Sequence, residues 1–202
     1  MGISLSLFLL WATCVYAEGP FQKGATEWGI SGGFGDNFHT GRSGNVSEDI
    51  QSYRSGNVSE DIQFYFLSPS WGKVLEKWDG CGNLEFVTEG FLSYARQDSK
   101  DRYGVGITPL FAYNFEALGK AIFFLELGVG ILYTNLDPEE FGSHLNFTPQ
   151  GGIGFRYEMA HSRFLKLSYR VHHISNAGID KDNRSIDSHF FLIGISSLKK
   201  FF

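Results

Sequence analysis

Residues 123–134 read FFLELGVGILYT, and their pattern is the clearest indication of the fold class. Large apolar side chains occupy every second position from Phe123 to Tyr133, and smaller or more polar residues such as Glu126 lie between them. Successive side chains of a β-strand point to opposite faces, so this alternation predicts a strand with one continuous apolar face. Strands of about ten residues with such a dyad pattern are typical of membrane β-barrels.

Seven further segments are predicted to be strands. Residues 103–114 and 147–158 repeat the alternation clearly, and residues 27–35, 61–71 and 84–94 repeat it less regularly. Residues 164–175 and 189–202 complete a count of eight. Short turns are expected at residues 116–120 and 159–162, on the periplasmic side of a barrel with both termini in the periplasm.

Charge placement distinguishes a soluble barrel from a membrane barrel. If the apolar faces point outward to lipid, the charged residues share the interior, where opposite charges can pair. These residues are Glu27, Glu85, Glu89, Glu126, Arg156, Glu158, Lys166 and Arg170. The predicted fold is therefore all-β, an eight-stranded antiparallel transmembrane β-barrel of the outer membrane.

The chain ends and the composition agree with an exported protein of 202 residues. Residues 1–17 form a short apolar run ending in Val-Tyr-Ala, which predicts a cleaved signal peptide followed by one barrel domain over residues 18–202. Without Cys14, Cys81 is the only cysteine, so no intramolecular disulfide is expected. The net charge of −5 argues against a nucleic-acid partner. The last residue is Phe202, and outer-membrane barrels commonly end in a phenylalanine.

An internal duplication occupies the first long connection. RSGNVSEDIQSY at residues 42–53 recurs as RSGNVSEDIQFY at residues 54–65, with one difference. Two copies are too few for a solenoid, so we interpret the duplication as an insertion in an extracellular loop that tolerates it. A binding role for the repeat is the less favoured alternative.

One cluster of residues has the composition of a serine hydrolase site. His173 and Ser175 share a strand face, as a general base and a hydroxyl nucleophile require. Asp187 lies on the next strand with the parity of an outward residue and is the candidate acid. Candidate oxyanion donors are the Asn176 side chain and the backbone N–H groups of Ala177 and Gly178.

Other polar residues compete for these roles. His172 is a competing base but has the parity of an interior residue, and Asp180 and Asp182 are competing acids in the expected loop. Since most His-x-Ser triplets are ordinary strand residues, the spacing alone is weak evidence. An outward polar cluster beside lipid strengthens it, because polar groups there are costly without a purpose. His39, His144 and His161 have no metal-ligand spacing, so neither a metal nor a cofactor is expected.

The segment His173-Ile-Ser-Asn-Ala-Gly178, with an acid twelve residues after the serine, resembles the signature of the outer-membrane lipid A 3-O-deacylases. This resemblance implies an eight-stranded barrel whose outer wall carries a His-Ser-acid triad, here His173, Ser175 and Asp187. The family usually has glutamate where this chain has Asp187, which is one methylene shorter. Asn183 also matches a position that the family tends to keep as Asn, for loop shape or oxyanion support.

The resemblance implies a serine esterase that hydrolyses the ester-linked 3-hydroxyacyl chain at the 3-position of lipid A. The expected substrate is lipid A or lipopolysaccharide within outer-membrane lipid, with the active site toward the outer leaflet. The alternative function is a non-enzymatic structural or adhesive barrel that acts through its extracellular loops. An inactive descendant of the deacylases is a third possibility.

Overall fold

A computed structural model describes residues 20–38, 54–57, 62–97, 100–136, 143–179 and 182–199. The strands are β1 (Thr26–Asn37), β2 (Arg54–Asn57), β3 (Ile62–Trp78), β4 (Gly82–Gln97), β5 (Lys100–Phe115), β6 (Ala121–Thr134), β7 (Leu145–Ala160), β8 (Arg163–Ile174) and β9 (Asp182–Lys199). The predicted signal peptide, the first copy of the repeat and Phe202 lie outside the described residues.

Eight long strands form a closed antiparallel barrel, as the alternation predicts. Each strand pairs with its neighbour along the sheet from β3 to β9, and β1 closes the sheet by pairing with both β3 and β9. The described residues also contain the four-residue strand β2, which the sequence did not predict. It belongs to the second copy of the repeat and pairs in parallel with the start of β9.

The apolar faces point outward, which confirms the membrane orientation of the strands. In β6, every second residue from Phe123 to Tyr133 is exposed, while Phe124, Glu126 and Leu132 are buried. A soluble protein could not expose such a continuous apolar wall, whereas the hydrocarbon of a bilayer covers it. No helix in the described part of the chain is long and apolar enough to cross a membrane.

Two groups of buried charges occupy the middle of the interior. Arg156 contacts Glu27 and Glu85 at 3.1 and 2.9 Å, respectively. Closer to the end of β8, Arg170 contacts Glu89 and Glu126, both at 2.8 Å. Lys166 adds a further contact to Glu126 at 3.3 Å. Seven of the eight predicted interior charges therefore form ion pairs within the barrel, where opposite charges compensate one another's lost hydration.

Glu158, the eighth predicted interior charge, lies at the turn end of β7. Its carboxylate accepts a hydrogen bond from the Ser162 backbone N–H at 3.3 Å. Apolar side chains close the interior at both ends. One cluster includes Phe64, Ile174 and Phe190, and the other includes Phe21 and Phe164. The barrel interior is thus a packed core.

The two barrel ends differ in the length of their connections. At one end, residues 79–81, 116–120 and 161–162 form short turns, including the two that the sequence predicted. At the other end, more residues separate β1 from β3, β6 from β7 and β8 from β9, although only two residues separate β4 from β5. His173 and Asp187 lie at this second end, which we call the loop end.

Candidate active site

The upper part of β8 carries different chemistry on its two faces. Tyr169, Val171 and His173 point outward, whereas Arg170, His172 and Ile174 are buried in the interior. The alternation continues past the strand, because Ser175 is half-buried and Asn176 is fully buried. His173 and Ser175 therefore lie on the same outer face, as their spacing predicted.

His173 and Asp187 face each other directly across the β8–β9 pair. They are register partners, and His173 Nδ1 lies 2.6 Å from Asp187 Oδ1. A carboxylate only accepts hydrogen bonds, so Nδ1 carries the hydrogen, and in the neutral imidazole Nε2 is then the acceptor. The direct register explains how the shorter aspartate reaches the ring. The side chains are 39% and 19% exposed, which leaves the imidazole open to a ligand on the outer wall.

Ser175 is held in place by its backbone. It forms an isolated bridge with Phe147 of β7, with N–O distances of 3.1 and 2.7 Å. Within the described residues, the Ser175 hydroxyl makes no hydrogen bond to His173. Hydrogen bonds of catalytic groups often form only when substrate binds, and rotation about one side-chain bond moves this hydroxyl.

A tight turn follows the serine. The Ile179 N–H donates to the Asn176 carbonyl at 3.1 Å, and both central residues have positive φ, 55° at Ala177 and 79° at Gly178. This combination defines a type I′ turn. The Gly178 N–H also donates to Asn176 Oδ1 at 2.8 Å.

The turn separates the three candidate oxyanion donors. The Asn176 side chain is buried on the interior side, and its oxygen engages the Gly178 N–H. In this conformation neither group is aimed at the outer face beside Ser175. The Ala177 N–H makes no hydrogen bond within the described part of the chain, so it is the candidate donor that remains available.

The acid-bearing segment is more ordered than the sequence suggested. Asp182 and Asn183 were expected in a loop, but both belong to β9, where Asn183 pairs with Ser55 of β2. The loop expectation was wrong because the added strand β2 extends the hydrogen-bonded ladder beyond the barrel. Asp180 lies outside the described residues.

The competing histidines occupy other environments. His172 is 4% exposed and packs between Phe91 and Phe190 in the interior, as its parity predicted. His144 bonds through Nδ1 to the Thr134 carbonyl, and His161 lies in an exposed turn. The part of the chain described by the structure contains no group of three or more His, Cys, Asp or Glu residues that could hold a metal ion.

An aromatic cluster that the sequence analysis did not predict lies on the outer wall next to the His173–Asp187 pair. His189 contacts the rings of Phe38 and Tyr169 at 5.9 and 6.0 Å, and Tyr169 contacts Phe191 at 5.2 Å. The outward parity of residues 187–195 was visible in the sequence. The cluster itself depends on the register of β1, β8 and β9, which the sequence did not provide.

Comparisons with known proteins agree with this architecture. A family model described as lipid A 3-O-deacylase (PagL) matches residues 62–196, more than half of the chain. The crystal structure of the outer membrane enzyme PagL matches at 21% identity with a TM-score of 0.62, covering 82% of this chain and 97% of that chain. The crystal structure of Neisserial surface protein A matches at 12% identity with a TM-score of 0.57, covering 87% and 99%. Curated protein sequences give no significant match.

Proposed function

The chain belongs to the lipid A 3-O-deacylase (PagL) family of the outer membrane, and from this membership we propose that it is a serine esterase with His173, Ser175 and Asp187 as its triad. Membership makes lipid A the substrate and deacylation the reaction. The proposal adds the mechanism and the bond, which is the ester of the 3-hydroxyacyl chain at the 3-position. The observation that carries it is the hydrogen bond of 2.6 Å between His173 and Asp187 on the outer wall.

The proposed reaction has two steps. His173 Nε2 takes the proton of the Ser175 hydroxyl as Ser175 attacks the acyl carbonyl, and the same proton then passes to the departing sugar oxygen, which leaves as a hydroxyl. Water, activated by the same base, attacks the resulting acyl-enzyme and releases the 3-hydroxy fatty acid. Asp187 holds the imidazole in the required tautomer and stabilises its protonated form.

The oxyanion of each tetrahedral intermediate needs a hydrogen-bond donor near Ser175. We assign this role to the Ala177 N–H, because it makes no hydrogen bond among the described residues while the Gly178 N–H is engaged by Asn176. Asn176 is a positioning residue in this scheme, since it bonds within the turn. The Asn183 side chain lies outside the described part of the structure.

We further propose that the site faces the outer leaflet. Barrels of this kind have short periplasmic turns and longer extracellular loops. Here the short turns lie at one end, and His173 and Asp187 lie at the other, beside the longer connections. Lipid A in the outer leaflet could then reach the triad laterally, with its acyl chains remaining in hydrocarbon.

The test is the mass of lipid A from cells that express the full chain or its Ser175→Ala variant. The wild type is expected to remove one 3-hydroxyacyl chain, and Ser175→Ala to abolish that loss. Ser168→Ala is the matched control, because Ser168 is a serine of β8 that points inward. Heat-modifiable migration on gels verifies that each variant is folded.

The same experiment separates the proposal from a structural or adhesive barrel. The fold cannot separate them, since it is similar both to an enzyme and to a surface protein. Lipid A left intact by the folded wild type would reject the esterase and favour a non-enzymatic or inactive barrel. Deacylation that persists in Ser175→Ala would reject the nucleophile assignment alone.

A further inference from the structure

Three cations lie close together on the outer wall at the turn end, which is the end of the barrel with the short turns. Lys73 of β3 and Lys199 of β9 flank β1, where Thr26 is the register partner of both. Arg163 of β8 is the register partner of Ser197, two residues before Lys199. All three cations are exposed, and none forms an ion pair or a side-chain hydrogen bond among the described residues. We call these three residues the basic patch.

Tryptophan side chains and an apolar groove border the basic patch on its membrane side. Trp71, Trp28, Ser197 and Arg163 are consecutive register partners across four strands, so they form one row. A groove of about 540 Å³ adjoins this row, and its lining includes Trp28, Ile30, Met159, Arg163 and Ile195. Tryptophan is enriched where a membrane meets water, because its ring is apolar and its N–H is polar. The row therefore combines positive charge with the aromatic residues of a membrane interface.

The positive charge is confined to one side of the barrel. In the turn-end halves of β4, β5, β6 and β7, the outward positions that the structure describes carry no charged side chain and include Phe111, Phe123 and Tyr157. Glu76, the carboxylate nearest to Lys73 along β3, already pairs with Lys23 at 2.7 Å. The whole chain has a net charge of −5. The basic patch is thus a local feature that the overall composition does not explain.

The depth of the patch corresponds to the headgroups of the periplasmic leaflet. From Asp187 to Ser197 is ten residues, or about 34 Å along a strand. A strand tilt of about 40° reduces this to about 26 Å of depth, close to the apolar band of about 25 Å around such barrels. With Asp187 at the outer surface of the hydrocarbon, Ser197 and its row lie at the inner surface. The leaflet there consists of glycerophospholipids, whose headgroups carry phosphate.

We propose that the basic patch binds the headgroup of an anionic glycerophospholipid in the periplasmic leaflet. The Arg163 guanidinium can donate two hydrogen bonds to one phosphate, and Lys73 and Lys199 add positive charge beside it. The groove next to Trp28 accommodates the first part of the acyl chains. Three cations favour an anionic headgroup over a zwitterionic one, because they repel the ammonium of the latter. This inference uses the orientation proposed above, but it does not depend on the esterase reaction.

The test measures lipid preference through the tryptophans of this row. The purified full chain is placed in phosphatidylcholine bilayers with a small fraction of brominated phosphatidylglycerol or brominated phosphatidylcholine, whose bromine quenches tryptophan fluorescence on contact. The wild type is expected to bind the phosphatidylglycerol more tightly. Lys199→Gln should lower this preference by about fivefold, and the triple variant Lys73→Gln/Arg163→Gln/Lys199→Gln should remove it. High salt should weaken the preference of the wild type as well.

A matched control removes the same charge elsewhere. The triple variant Arg96→Gln/Lys100→Gln/Lys120→Gln replaces three exposed cations outside the patch and should keep the preference for phosphatidylglycerol. Gel migration before and after heating verifies that each variant is folded. If the patch triple variant does not fold, its three single variants replace it, and an unchanged preference in all three overturns the inference.

The remaining outcomes separate this inference from the proposed function. A wild type without lipid preference overturns the inference and leaves the esterase intact, and so does an equal loss of preference in the control. A patch variant that keeps its preference but no longer deacylates lipid A would assign the cations to lipid A, which also overturns the inference. Lipid A left intact by a wild type that prefers phosphatidylglycerol would reject the esterase alone.

Discussion

Polar side chains on the inner and outer faces of β8 differ in their hydrogen-bond partners. Inside the barrel, Arg170 bonds to Glu89 and Glu126 at 2.8 Å, and its Nη1 also donates to Gln150 at 2.8 Å. Outside, within the described part of the chain, Ser175 makes no side-chain hydrogen bond and His173 Nε2 has no hydrogen-bond partner. Interior polarity is thus used within the fold, while polarity on the outer wall remains available to a ligand.

The largest expected effect comes from two adjacent histidines on opposite faces. His173→Ala should lower the rate of lipid A deacylation by at least about a thousandfold, because it removes the base. His172→Leu should keep the activity within a few fold, since the His172 ring packs against Phe91 and Phe190 in the barrel interior. Rates of fatty-acid release from lipid A micelles measure both.

Each histidine variant needs a check of folding, by gel migration before and after heating. If folded His172→Leu loses activity as fully as His173→Ala, the division of β8 into a structural and a chemical face is wrong. If folded His173→Ala stays active, a different base operates.

The interior face is tested by stability. Arg170→Met leaves Glu89 and Glu126 buried with only Lys166 as a partner, so the free energy of unfolding should fall by about 3 kcal/mol. Urea titration of the refolded protein in detergent, followed by tryptophan fluorescence, measures the loss. Lys23→Met is the control. The Lys23–Glu76 pair is exposed, so its loss should leave the urea midpoint of unfolding almost unchanged. Equal effects of the two variants would contradict the compensating role of the interior pairs.

Local alternation in the sequence was sufficient to predict the barrel. Each strand must separate lipid from the interior, so the periodicity of residues such as those in β6 reports the face directly. The same periodicity identified His172 as an interior residue and His173 as an outer one. Both predictions depend on information within one strand.

Features that depend on another part of the chain were not predictable in this way. The β3 strand was expected to end near residue 71 but continues to Trp78, because β4 provides hydrogen-bonding partners as far as that residue. The contact of Asp187 with His173 depends on the register of β9 against β8. Alternation does not determine this register, because a shift of two residues keeps every side chain on the same face of the sheet. The early start of β9 depends on pairing with β2, more than a hundred residues away in sequence.

The oxyanion donors show the same limit at a smaller scale. From the residue types alone, Asn176, Ala177 and Gly178 were equal candidates, because all three follow the serine. Only the turn geometry distinguishes them, since Gly178 donates to the Asn176 side chain and Ala177 does not. The choice among neighbouring residues was therefore a question of backbone conformation, which the residue types alone did not determine.

The smallest expected effect concerns the turn that follows Ser175, next to the outer site. Ala177 has a φ of 55°, a conformation that costs a residue with a Cβ about 1 kcal/mol, so Ala177→Gly should raise the free energy of unfolding by up to about 1 kcal/mol. Gly178→Ala should lower it by a similar amount through backbone strain alone, because a Cβ there meets nothing within 4 Å. Ala177→Gly retains the N–H proposed as oxyanion donor, so deacylation should stay within about twofold. Urea titration and fatty-acid release measure the two quantities, and a stabilised but inactive Ala177→Gly would mean that the strained turn itself, rather than its N–H, is required for the reaction.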